Sequence, residues 1–146
     1  MWAWPTTTAI GITNFSGNTP SQARITTRVP VADYERNLDA ILGRLRDETT
    51  AVVVVNLIPD LAVTPRFRAH RERDAVGRQT VRFNEALERR SRAYGTELVD
   101  LYSASRREVP VRPELVGPDG YHPSDVGYAR WAELVWAGVE ARIAVP

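Results

Sequence analysis

The clearest signal along the chain is Ala51–Leu57, AVVVVNL, where apolar residues run consecutively instead of alternating. Such a run predicts a strand covered on both faces, the habit of parallel sheets. Thr6–Ile12, TTTAIGI, is β-branched and then apolar and predicts an earlier strand, punctuated by Gly11 and the Asn-Phe-Ser-Gly-Asn that follows. Thr96–Leu101, TELVDL, predicts a third. Helical spacing appears between them. Leu38, Ile41, Leu42 and Leu45 make one apolar face, with Asp33 as N-cap and a stop near Asp47–Thr50. Pro65–Gly95 predicts a long polar helix with Phe67, Val76, Val81, Phe83, Leu87 and Tyr94 as its apolar positions. Its break is expected near Gly77, and Gly95 is the C-terminal stop. Ser124–Ala144 predicts the last helix, capped by Ser124 or Asp125. It directs Tyr128, Trp131, Leu134, Val135 and Val139 to the core, and Trp136 with them. Thr19–Pro30 and the Pro/Gly-rich Arg106–Gly120 read as loops.

Strands alternating with helices predict an α/β fold, a parallel sheet with helices on its faces. Right-handed crossovers put the strand C-termini on one edge, where sites form. The loops at that edge are Asn14–Pro30, Asn56–Pro65 and Tyr102–His122. Composition narrows the function. A chain of 146 residues suits one domain. A net charge of +1 gives no general pull toward nucleic acid or membrane. No apolar run reaches the roughly 18 residues of a membrane span. The Met1–Trp4 start has no basic region and no long apolar stretch, so no secretory signal is read there. There is no cysteine, and all 19 cationic side chains are arginine, which excludes thiol and lysine nucleophiles.

Chemistry concentrates in Asp119–Tyr128, DGYHPSDVGY. Asp119 and His122 stand three apart before a helix, with Gly120 allowing the carboxylate to turn toward the imidazole. A carboxylate on one ring nitrogen fixes the tautomer and leaves the other nitrogen as a general base. Taken alone, a D-x-x-H of this length is more often a surface histidine beside a turn aspartate. Asp119 and His122 are also too few ligands for a metal-dependent hydrolase, and no metal or cofactor is expected. The nine arginines of Arg66–Arg92 read as a solvated helix face, with His70 exposed among them. Asp60 is placed to shape the loop beside the site.

The wider segment DGYHPSDVGYARWAE resembles the last block of the SGNH (GDSL-type) hydrolase family, whose triad Asp and His lie three apart before the C-terminal helix. VADYERNLDAILGRLR, VVVVNLIPDLAVTPRF and FNEALERRSRAYGTELVDLY resemble further segments of that family in the same order. The resemblance implies a flavodoxin-like three-layer α/β/α sandwich and hydrolysis of a small ester or acylated substrate. It implies Asp119 as orienter and His122 as general base. The G-D-S block bearing the family's serine nucleophile has no counterpart here, nor is the second block visible. The third block, G-x-N-D, would fall on GITNFSGNT. Asn14 is its best match for the oxyanion donor, although Phe15 stands where the Asp belongs, and Asn18 is the rival. Ser16 borders the site but is a poor candidate for nucleophile, so none is assigned. The expectation is a single partial domain over 1–146, N-terminally truncated, with three strands and three or four helices. Exposed Trp2 and Trp4 and self-association through the incomplete sheet would follow. The alternative is a non-catalytic remnant or interaction domain that kept the scaffold without the serine.

Overall fold

The computed structural model describes residues 29–143. The expected strand Thr6–Ile12, and with it Trp2 and Trp4, lies outside them. The first helix, α1 (Val31–Glu48), starts directly after Pro30, whose carbonyl accepts from the backbone N–H groups of Asp33 and Tyr34. Asp33 therefore sits inside the first turn and pairs with Arg36 at 2.6 Å, where the sequence suggested it as the cap. The strand β1 is shorter than its apolar run: Val54–Asn56, paired in parallel with β2 (Glu97–Val99). Val54 lies opposite Glu97, Val55 opposite Leu98 and Asn56 opposite Val99. Ala51 and Val52 precede this short ladder and are exposed.

The consecutive valines are explained by what covers each face, since neighbouring side chains of a strand point to opposite sides. Val55 joins Tyr34, Leu38 and Leu42 of α1 and Ala86 and Leu87 of the long helix α3 (Arg73–Tyr94). Val54 joins Val99 and Leu101, and Trp131, Leu134, Val135 and Val139 of α5 (Asp125–Ile143) pack on them. The result is a helix pair, a parallel sheet and a helix, in three layers. Tyr34 and Phe83 lock α1 to α3 edge to face, with centroids 4.6 Å apart. Each fully buried leucine here, Leu38 and Leu42, removes enough apolar surface from water to contribute about 2 kcal/mol.

Several expectations are corrected. The long polar helix breaks at Ala69–Glu72, after the short α2 (Pro65–Arg68), and Gly77 lies within α3. Docking of α2 elsewhere sets the break: the Arg66 N–H donates to the Gly120 carbonyl at 2.9 Å. Gly95 does end α3, in the left-handed conformation at φ 65°. The third predicted strand stops at Val99, because Asp100 caps a new helix by accepting from the Ser103 N–H at 2.8 Å. That helix, α4 (Leu101–Glu108), runs into the start of the segment read as loop, and raises the helices to five among the described residues. Ser124 caps α5 by accepting from the Gly127 N–H. Trp136 is 55% exposed and donates to Glu140 instead of entering the core, and Tyr128 is likewise exposed, its ring against Trp131.

Candidate active site

The site is built on a turn just before α5. The Gly117 N–H donates to the His122 carbonyl at 2.8 Å, and the Gly120 N–H to the Gly117 carbonyl at 2.9 Å. Gly120 holds φ at 71°, a left-handed conformation that glycine takes without steric cost. Val116 and Pro123 bridge across the base of the turn. Ser124 anchors the far side, its N–H on the Leu115 carbonyl at 3.0 Å and its hydroxyl on the Glu114 carbonyl. The chain is thus closed before the helix begins.

Asp119 fills the turn. One carboxylate oxygen, Oδ1, accepts from the backbone N–H groups of Tyr121 and His122 at 2.9 and 3.0 Å. The other, Oδ2, lies 2.5 Å from His122 Nδ1. A carboxylate only accepts, so Nδ1 carries the proton of this bond, which leaves Nε2 as the ring nitrogen that can accept one whenever the ring is neutral. The His122 bond, followed by the two backbone N–H groups, lowers the Asp119 carboxyl to about 2. Both side chains reach solvent, at 45% for Asp119 and 60% for His122. A contact so exposed adds little stability.

Beside the imidazole opens a cavity of about 510 Å³. Its wall is mostly apolar and comes from the loop after β1, from α3, α4 and α5, and from Tyr121–Pro123. Two of the three loops expected at the strand C-terminal edge therefore meet there. Asp60 is buried on that wall, as its predicted loop-shaping place requires. It caps the turn Leu61–Val63 through the Ala62 N–H, and its own N–H donates to the Ser105 hydroxyl at 2.8 Å. Asn84 of α3 grips the same loop twice, donating to the Ile58 carbonyl and accepting from the Ile58 N–H, both at 2.8 Å. Arg130 of α5 holds Glu108 of α4 with both Nε and a terminal nitrogen, and the Glu108 carboxyl is lowered by that bond. Among the described residues Asn56 Oδ1 is buried without a hydrogen-bond partner, and Asn56 lies on the cavity wall.

The sequence singled out Asp119 and His122, and the structure joins them. Asn14, Asn18 and Ser16 lie outside the described residues. His70 is exposed, its Nδ1 accepting from the Glu72 N–H. Of the arginine run, Arg89 and Arg90 are engaged by Glu35 and Asp39 of α1. No group of three or more His, Asp or Glu side chains able to hold a metal occurs among the described residues. No helix among them is long and apolar enough to cross a membrane. Asn84 and Arg130 carried no sequence signal, since each acts on a partner that only the fold supplies.

The model of the GDSL-like Lipase/Acylhydrolase family matches residues 7–130. No curated protein matches the chain. Among solved structures, LAE5, an alpha/beta hydrolase enzyme from the metagenome of Lake Arreo, Spain, is similar in fold with a TM-score of 0.61 at 20% identity. The likeness covers 79% of this chain and 50% of LAE5, so the chain spans half the length of that structure.

Proposed function

The chain belongs to the GDSL-like lipase/acylhydrolase family, and from that premise we propose that it supplies the acid–base half of a serine-dependent ester or acyl hydrolysis. The observation that carries this reading is the Asp119–His122 bond at the mouth of an apolar cavity. His122 Nε2 takes the hydroxyl proton of a serine as its oxygen adds to the ester carbonyl. The imidazolium, held by Asp119, gives that proton to the departing alkoxide when the carbon–oxygen bond breaks. A water then repeats the sequence, and the acid leaves with the serine restored. Asn14 donates to the oxyanion of each tetrahedral state. The serine comes from outside these 146 residues, since no G-D-S occurs in them.

Reading the DNA ahead of the Met1 codon tests this. An in-frame strand, G-D-S and helix are expected, and a stop codon immediately upstream would overturn the proposal for this polypeptide. The polypeptide so extended is expected to turn over p-nitrophenyl acetate. His122→Ala should lower its kcat by about 10³-fold or more, and Asn14→Ala by about 10²-fold. The absence of G-D-S favours a second reading, a scaffold retained without catalysis. Saturable hydrolysis by the 146-residue chain, abolished in His122→Ala, would defeat it.

A further inference from the structure

Asp119 fixes one nitrogen of the His122 ring, but one hydrogen bond on so exposed a pair leaves the ring able to swing. A second contact limits that swing. The Tyr121 ring meets the imidazole edge to face, with centroids 4.7 Å apart and planes at 78°. Phe67 of α2 meets Tyr121 in turn, at 5.9 Å and 83°. Phe67 is buried, and α2 is tied to the turn by the Arg66–Gly120 backbone bond. The three rings thus run from a buried anchor out to the exposed base. Edge-to-face pairs of this kind have a preferred geometry beyond simple area burial.

We propose that Tyr121, backed by Phe67, is a positioning residue that holds the plane of the His122 imidazole in register with Asp119. The proposal rests on the reading of His122 as the base, but its test needs no hydrolysis. The chain has only two histidines, and His70 is exposed, so one ring reports on the site and the other serves as reference. The measurement is exchange of the His122 Nδ1 proton by NMR on the 146-residue chain. Tyr121→Phe keeps the ring and should exchange at the wild-type rate. Tyr121→Leu should exchange roughly 3–10-fold faster. The His70 signals and the α5 amides should not change in either.

A wild-type rate in Tyr121→Leu overturns the proposal. So does a Tyr121→Phe variant that exchanges as fast as Tyr121→Leu, because the hydroxyl would then be what matters. If Tyr121→Leu disturbs the α5 amides, Phe67→Leu is read in its place. It should give an intermediate rise, and a wild-type rate there overturns the proposal. Failure of the ring brace leaves the hydrolytic reading standing, and a braced ring without hydrolysis has the reverse meaning.

Discussion

Asp119 and Asn84 make opposite demands on a reader of the sequence. Asp119 finds every partner within three residues, so the spacing D-x-x-H displays the whole arrangement. Its carboxyl is depressed, so the support it gives the turn is complete above the ordinary carboxylate range near 4. That support is lost as pH falls toward about 2. A carbon-13 titration of Asp119 should show its midpoint at about 2, and an ordinary midpoint would mean the bonds are not kept in solution. Asn84, by contrast, is a polar residue in a polar helix, and its partner is the backbone of Ile58, 26 residues upstream. Nothing local distinguishes it from a solvated position. Asn84→Ala strips both backbone groups of Ile58 of their partner, and a buried unmet group costs about 1–3 kcal/mol. A loss of about 2–3 kcal/mol in urea unfolding is expected, and an unchanged midpoint would contradict it.

At the scale of elements, helices with strong periodicity and good caps were legible, and boundaries set by distant contacts were not. Gly95 and Ser124 delimit α3 and α5 where the sequence placed them. The break before α3 follows from the docking of α2 on Gly120, which no residue near Gly77 announces. The short α4 has a capping aspartate in Asp100, but that residue falls inside TELVDL, which reads as a strand, so the cap is not legible locally. Two glycines test this picture in opposite directions. A Cβ on Gly127 would lie 2.1 Å from the Leu115 carbonyl oxygen, so α5 can approach the turn only with a glycine there. Gly127→Ala should destabilise by about 2–3 kcal/mol and lower the thermal midpoint. A Cβ on Gly77 would meet only the Ala62 methyl at 3.4 Å. Gly77→Ala should raise stability by up to about 1 kcal/mol, because alanine lowers the helix's entropic cost. Equal melts for the two variants would refute the assignment of close approach.

Across residues 29–143, two short strands are sandwiched between α1 and α3 on one side and α5 on the other. The alternation of strand and helix predicted that layering correctly. The site was legible only as its one local turn, since its cavity is assembled from elements far apart in sequence. Val126, Tyr128, Trp136 and Ile143 expose apolar surface along α5, and Val52 does so ahead of β1. Such surface favours association. The isolated chain is expected to sediment as a concentration-dependent mixture, and a strict monomer at every concentration would contradict that. The closed turn that joins Asp119 to His122 also has a consequence for the order of events in time. Its bonds lie within residues 117–122, and closing a segment of that length takes on the order of 10–100 ns. The Asn84 and Ser105 bonds that shape the cavity wait on closures spanning 26 and 45 residues. As the chain collapses, the Asp119–His122 contact is expected to close before the cavity beside it is assembled.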